Sequence, residues 1–298
     1  MTIISSAASR LDVLHAMPRR GRRRLWIVAV NVVVVLVLAW MVVGAALTPG
    51  FEWRLVGPYL FDSRILTGVL VSVGMTLASM AMAIVLGVGV AALRMSSVRA
   101  AAGAATAFIW VFRAIPMLVQ LLFWYNLAAL FPTLGLGFPG LGTVGGVSTN
   151  EVIGPLTAAL IGLTLHETAY LAEIVRGGFA AVPTGQREAA AALGLSPWRT
   201  FRRVVWPQAF RIVIPSLGNQ VISLLKATSL VSVIALADLL YSAQLIYAAN
   251  YRTIPLLVVV SIWYMVITGV LSLAQSWLER RLGDRSHRIA APTEEGAL

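Results

Sequence analysis

Long apolar runs constrain this chain more than any other feature of its sequence. Six stretches are long and apolar enough to cross a bilayer: 25–47, 65–93, 107–130, 153–178, 212–240 and 254–278. About 20 apolar residues in a helix span the roughly 30 Å hydrocarbon core of a membrane. Only 12% of the residues are charged, whereas soluble domains have about 25%. The sequence therefore predicts an all-α polytopic membrane protein with about six transmembrane helices.

The basic residues are distributed unevenly between the two ends of these spans. Eighteen arginines lie before the first span, between spans two and three, near residues 176–211, or after the last span. Three arginines, Arg54, Arg64 and Arg252, lie in the loops of the opposite side. Basic loops stay in the cytoplasm, so both termini and the 94–99 loop are predicted to be cytoplasmic. The net charge of +11 is thus interpreted as an orientation signal and not as a sign of nucleic-acid binding.

The first span follows an arginine-rich segment, residues 1–24. Its apolar run is too long for the 7–15-residue core of a signal peptide, so we interpret it as a retained membrane anchor. Asn31 is its only strongly polar residue, which favours a peripheral, lipid-facing position. At the other end, residues 279–298 are predicted to be a cytoplasmic tail.

The sequence lacks the motifs of a nucleotide-binding loop and of a metal site, and it has no cysteine. Its single lysine, Lys226, follows Leu225, so there is no Gly-Lys-[Ser/Thr] phosphate-binding loop. The histidines His15, His166 and His287 have no metal-site spacing, and there is no cysteine. We therefore predict no enzymatic activity, cofactor or metal for this chain.

A short segment between spans four and five has a different character. It reads GQREAAAALGLSPWRTFRRVVWPQ, from Gly185 to Gln208. Gln186–Leu193 favours a helix, and Gly194 suits the left-handed position that ends one. Ser196-Pro197 is typical of the start of a second helix, and Trp206-Pro207 predicts its end or a kink. The segment is interpreted as a water-facing helix-turn-helix; an ordinary cytoplasmic loop is the alternative.

This segment resembles the EAA loop of bacterial ABC importer permeases, with Glu188, Ala189, Ala190 and Gly194 at the matching spacing. Four further motifs are similar to the polar amino-acid uptake group of these permeases: FRAIPMLVQLLFWY, AYLAEIVRGG, VVWPQAFR and LLKATSL. The resemblance covers about residues 65–278, with the EAA loop at about 185–215. Ala227 departs from it, because the group usually has an acidic or amide residue there, and so does the added first span.

The resemblance implies a mechanism and a set of partners. The EAA loop of the family is a coupling helix that sits in a cleft of a cytoplasmic ATPase dimer. A second permease subunit (a copy or a paralogue), an extracytoplasmic solute-binding protein and a location in the bacterial inner membrane are also implied. The residues expected to couple to the ATPase are Gln186, Arg187, Glu188, Ala189, Ala190 and Gly194.

Polar residues form one face on each of two spans, at helical spacing. A charge at the bilayer centre costs about 2.5–3.5 kcal/mol on insertion scales, so such residues usually face protein or water. We expect these faces to line a translocation path, with interhelical hydrogen bonds or salt bridges as the alternative. The path candidates are His166, Glu167, Tyr170, Glu173, Asn219, Ser223 and Lys226.

The resemblance implies inward transport of a polar amino acid. Glu167 and Glu173 favour a solute with a positive group, unless they neutralise Lys226 or a nearby arginine. A permease for another solute, such as a peptide or an anion, remains an alternative, as does an ion-driven secondary transporter. The Gly- and Pro-rich residues 131–152 are predicted to be an outside linker or a docking surface for the binding protein.

Overall fold

The computed structural model describes residues 20–137 and 143–287. The predicted basic segment up to residue 19, and the tail beyond residue 287, lie outside these described residues. The chain divides into two compact units, Met1–Trp53 and Arg54–Leu298. In the first unit, helix α1 (Arg20–Leu47) contains the first predicted span. The Thr48 hydroxyl donates to the Gly44 carbonyl at 2.6 Å and closes the end of this helix.

Nearly all remaining elements are helices. In chain order, they are α2 (Trp53–Leu60), α3 (Ser63–Arg94), α4 (Arg99–Ala114), α5 (Met117–Tyr125), α6 (Thr149–Val152), α7 (Pro155–Ala180), α8 (Thr184–Ala192), α9 (Pro197–Thr200), α10 (Trp206–Ala227), α11 (Leu239–Asn250) and α12 (Thr253–His287). Within the described ranges, five helices are long and apolar enough to cross a membrane, or six if one bent pair counts as a span. The predicted all-α polytopic fold is confirmed.

The third predicted span, 107–130, is wrong as a single helix. Helices α4 and α5 meet at a bend of 101°. The cause is Pro116, which lacks an N–H group and disfavours helical geometry in the residue before it. Ile115 is accordingly extended, with φ −88° and ψ 128°. The apolar composition of the run conceals this break.

The fifth predicted span, 212–240, also differs from the structure. Helix α10 begins upstream at Trp206, and a 3₁₀ helix, Thr228–Ile234, follows its end at Ala227. The Thr228 and Ser232 hydroxyls donate to carbonyls three residues earlier, each within 2.8 Å. This local bonding accompanies the tighter winding. A separate helix, α11, then begins with the Asp238 carboxylate accepting from the Tyr241 N–H at 2.8 Å.

Small residues bring the helices of the second unit close together. A Cβ atom at Gly68 of α3 would lie 2.8 Å from the Asp238 carbonyl oxygen and 2.9 Å from the Leu239 Cα. A Cβ atom at Gly87 of α3 would lie 2.8 Å from the Leu171 Cβ of α7. Such small-residue contacts let helix backbones approach. They place α3 against α7 and α11 in the core.

The segment 131–152 contains a small hairpin that the sequence did not indicate. Strand β1 (Thr133–Gly137) pairs antiparallel with β2 (Thr143–Ser148), with Thr133 opposite Ser148. The Thr149 backbone N–H donates to the Pro132 carbonyl at 3.0 Å and ties the hairpin to α6. Residues 138–142 lie outside the described part of the chain.

Candidate coupling segment and translocation path

Helix α8 ends in the turn that its sequence predicts. Gly194 has φ +74°, the left-handed region that glycine adopts without strain. The Gly194 N–H donates to the Ala191 carbonyl at 2.9 Å, and the Leu195 N–H donates to the Ala190 carbonyl at 3.1 Å. These two bonds form a Schellman motif. They fix the direction in which the chain leaves α8.

Helix α8 is anchored to the neighbouring long helices. Ala190 is buried, while Gln186, Glu188 and Ala189 are exposed. The Arg187 guanidinium donates to the Phe179 carbonyl at 3.1 Å, near the end of α7. Below this point, a cluster of buried apolar residues contains Val182, Val205 and Ala209. The coupling segment, residues 184–200, is therefore held firmly at its base and open at its surface.

Two apolar side chains of the coupling segment face outward. Leu193 is 81% exposed and Trp198 is 67% exposed. The Trp198 ring stacks on Phe201 with 5.7 Å between the ring centroids. Exposed apolar groups on a fixed helix pair are typical of docking surfaces. Sequence reasoning missed both residues, although their position around Gly194 could have indicated them.

The second helix of the segment joins α10 without a stop. Ser196 is extended before Pro197, as predicted for a helix start, although its hydroxyl makes no capping bond. Residues Phe201–Val205 form a π-helical turn, and α10 continues from Trp206. Of the two alternatives predicted for Trp206-Pro207, an end of the helix is wrong, and a kink stays a prediction. Pro207 directly follows the π-helical turn within this continuous helix, and it lacks the N–H group that would bond to a carbonyl of that turn.

Two of the predicted path residues, His166 and Tyr170, are neighbours on α7. Their ring centroids lie 4.9 Å apart. The Gln120 amide nitrogen lies 3.2 Å from the His166 Nδ1, and the Arg113 guanidinium lies 5.2 Å from the centre of the Tyr170 ring. The break between α4 and α5 thus places the Gln120 amide and the Arg113 guanidinium against this face of α7.

Glu173 continues the same face but is already paired. It forms an ion pair with Arg94, the last residue of α3. It also accepts from the Arg176 guanidinium at 2.9 Å and 3.1 Å. The alternative of neutralising a nearby arginine is therefore the one that the geometry favours for this residue.

Glu167 is in a different environment. It is 2% exposed, beside Gln220 of α10. Its Oε2 atom has no hydrogen-bond partner among the described residues. A buried carboxyl group without full bonding is costly, so this atom is available to a polar or cationic group that enters the bundle.

The predicted face of α10 lies on the surface of the chain. Asn219, Ser223 and Lys226 are all exposed. The Gln275 amide of α12 donates to the Asn219 Oδ1 at 3.1 Å. Among the described residues, no hydrogen bond, ion pair or ring contact joins this face to His166 or Tyr170 of α7. A single chain therefore does not bring the two predicted polar faces into direct contact.

A bundle of helices long enough to cross a membrane, with polar faces and an exposed helix-turn-helix, is typical of an integral-membrane transport subunit. Residues 83–284 match the family of binding-protein-dependent transport system inner membrane components. The chain belongs to this family and is a multi-pass inner-membrane permease.

Curated relatives share this architecture over much of their length. The chain is 39% identical, over 96% of its length and 88% of the relative's, to the arginine transport system permease protein ArgU of Corynebacterium glutamicum. It is 40% identical to the glutamine transport system permease protein GlnP of Escherichia coli, over 60% of this chain and 74% of that protein. The resemblance to permeases for polar amino acids is confirmed.

A solved structure agrees with these relatives. A crystal structure of an amino acid ABC transporter with histidines matches at a TM-score of 0.65 and 32% identity. The match covers 74% of this chain and 95% of that chain. It supports the arrangement of the helices that carry the predicted path.

Proposed function

We propose that this chain is the membrane-spanning subunit of an ATP-driven importer of polar amino acids. It couples to a separate cytoplasmic ATPase through residues 184–200. The observation that carries this proposal is the anchored coupling segment, whose base is buried and whose Leu193 and Trp198 side chains are exposed. An ATPase that grips this segment can move α7 and α10, because both are attached to it.

A second permease subunit, a copy or a paralogue, completes the path. The supporting observation is the exposed face of α10, which carries Ser223 and Lys226 within a candidate span. A lysine facing lipid is costly, by about 2.5–3.5 kcal/mol near the bilayer centre. If a second subunit faces α10 across a water-filled path, Lys226 is in contact with water and not with lipid, and the cost of burying its charge is removed. An extracytoplasmic binding protein delivers the solute, in keeping with the description of the family.

Within the polar amino acids, we assign a cationic substrate. Glu173 is neutralised by two arginines. Glu167 of α7 and Asp238 before α11 are buried acidic residues, and each has a carboxylate oxygen without a hydrogen-bond partner among the described residues. Of these two, Glu167 lies on a helix with a predicted polar face. A positive side chain passing through the bundle needs such a partner. The similarity to a protein named for arginine transport supports the same choice.

Uptake by membrane vesicles that contain the complete transporter tests the substrate. Labelled arginine, histidine, glutamine and glutamate are compared with the binding protein and ATP present. Glu167→Gln should reduce uptake of arginine far more than that of glutamine, while insertion stays normal. Preferred uptake of glutamate, or no change in preference in Glu167→Gln, contradicts the assignment of a cationic substrate.

ATPase coupling is tested separately. Leu193→Asn should weaken stimulation of ATP hydrolysis by the loaded binding protein, because it removes apolar contact at the proposed docking surface. Leu130→Asn is the matched control, since Leu130 is also an exposed leucine, 64% exposed, outside the coupling segment. Equal stimulation in both variants contradicts the role of the segment.

A further inference from the structure

An apolar groove lies beside the coupling segment, between the ends of α3, α7 and α10. Its volume is about 750 Å³. Val88 and Ala92 of α3, Phe179 of α7 and Val213 of α10 are among its lining residues. Arg187 and Thr200 are the lining residues with polar side chains other than the Trp206 indole. The groove is therefore suited to a hydrocarbon group and not to a polar solute.

A smaller basic pocket adjoins the groove. Its volume is about 270 Å³, and its lining includes Arg211 of α10 and Arg281 of α12. Trp206 and Phe210 line both the groove and the pocket. The two cavities are thus separated by a wall of two aromatic rings, 5.9 Å apart between centroids.

The basic pocket has an excess of positive charge. No acidic residue lines either cavity within the ranges that the structure describes. The nearby Glu279 carboxylate accepts from the Gln275 amide at 2.8 Å. The Arg281 guanidinium is held 4.0 Å from the centre of the Trp277 ring, which leaves its N–H edges able to bind an anion.

The groove also has the length of one membrane leaflet. It follows α10 from Trp206 to Leu217, which is roughly 16 Å at 1.5 Å per residue. Half of the roughly 30 Å hydrocarbon core is about 15 Å. Trp206 and Arg187 line this groove, and tryptophan and arginine are typical of a membrane interface.

We propose that these two cavities form a binding site for an anionic phospholipid. The phosphate group binds Arg211 and Arg281 in the basic pocket, and one acyl chain occupies the groove beside the coupling segment. Charge complementarity favours this occupant over a second copy of the chain, because two arginines line a pocket that adjoins a mostly apolar groove. The lipid would then contact α3, α7 and α10 where the coupling segment is anchored.

Native mass spectrometry of the complete purified transporter tests the site. Phosphatidylglycerol and phosphatidylcholine with identical acyl chains are titrated against it, and bound lipid per permease is counted. Each basic residue near an anionic lipid contributes roughly five-fold in affinity, so the double variant Arg211→Gln/Arg281→Gln should bind phosphatidylglycerol about 30-fold more weakly. The control Arg54→Gln/Arg99→Gln removes the same charge elsewhere and should bind as the wild type does.

A bulky side chain in the groove tests whether the lipid acyl chain binds there. Val88→Trp places a large ring in the groove and should remove the retained phosphatidylglycerol. Val85→Trp is the matched control, because Val85 is 73% exposed on the same helix and does not line the groove. Thermal unfolding is measured for all four variants, namely the two double arginine variants and the two tryptophan variants. If one variant fails to fold, the comparison between the other variant type and its control decides the result.

Two outcomes overturn the proposal. Equal retention of the two lipids, or equal loss in variant and control, shows that no specific anionic lipid binds here. A disulfide between permease subunits through Val88→Cys, in a chain that has no other cysteine, shows that a second copy covers the groove instead.

Discussion

The Gln120 side chain connects the break between α4 and α5 to His166 of α7. Its amide nitrogen donates to the Phe112 carbonyl at 2.9 Å and to the Ile115 carbonyl at 2.8 Å, and it lies 3.2 Å from the His166 Nδ1. The two carbonyls belong to the end of α4, where Pro116 interrupts the helix. One buried amide therefore provides hydrogen bonds to the two carbonyls at the helix break and also contacts α7.

Replacing this amide should destabilise the bundle. Gln120→Leu keeps a similar volume but leaves two carbonyls without a donor, and each buried unsatisfied group costs about 1–3 kcal/mol. We expect a clearly lower midpoint of thermal unfolding in detergent. Gln186→Leu, at an exposed position, is the control. An unchanged midpoint in Gln120→Leu contradicts the bridging role.

The ion pair of Arg94 and Glu173 should behave as a coupled unit. Glu173→Gln leaves two arginines near each other without their carboxylate, so stability should fall. Adding Arg94→Gln should recover part of the loss, with an interaction free energy of about 0.5–3 kcal/mol in a double-mutant cycle. Purely additive effects on unfolding would show that the pair contributes no interaction energy.

Gly68 should not tolerate a methyl group. Gly68→Ala places a Cβ atom 2.8 Å from the Asp238 carbonyl oxygen, so α3 and α11 must separate, at a cost of about 1–3 kcal/mol. Gly74→Ala on the same helix meets nothing within 4 Å and should be neutral. Thermal unfolding of both variants measures the difference, and equal midpoints contradict the close packing.

Gly194 should be sensitive to backbone conformation and not to volume. A Cβ atom there meets nothing within 4 Å, but φ is +74°. Gly194→Val should therefore lose coupling at a cost of roughly 1–2 kcal/mol for the left-handed backbone, whereas Gly194→Asn should retain most of it. Stimulation of ATPase activity by the binding protein is the measurement. Equal losses in the two variants would indicate a steric or chemical requirement instead.

The orientation of the chain remains a prediction from its arginines. Reporter fusions after Ser97 and after Gly146 should report opposite sides, with the first in the cytoplasm. The reason is the cytoplasmic preference of basic loops. Reporters on the same side at both positions would contradict the topology.

The sequence predicted best where one local rule determines the structure. Helices α3 and α7 agree with their predicted spans within two residues at each end, because long apolar runs and caps determine them. Gly194 and Ser196 are equally local signals, and both lie at helix boundaries as expected. The break at Pro116 was overlooked because hydropathy alone does not report a change of direction.

The pairing of polar residues could not be predicted from the sequence. Helical spacing correctly placed His166, Tyr170 and Glu173 on one face of α7, but it contains no information about what faces them. Arg94 and Gln120 reach that face from other helices. Spacing likewise does not say what faces the exposed residues of α10, which we propose to be a second permease subunit.

Helix α9, the π-helical turn and α10 form one continuous helical stretch from Pro197 to Ala227. Such a stretch can move as one unit. The Val213 side chain of α10 packs directly against Gly178 of α7. A Cβ atom at Gly178 would lie only 2.4 Å from the Val213 Cγ2. We expect this contact to act as a pivot between an arm of roughly 24 Å to Pro197 and an arm of roughly 21 Å to Ala227, at 1.5 Å per residue. Pro215, inside the helix just beyond it, removes one backbone hydrogen bond and allows the arms to flex. We expect a push on the Pro197 arm to move the end that carries Lys226 in the opposite direction, by an amount that the flexible point at Pro215 reduces.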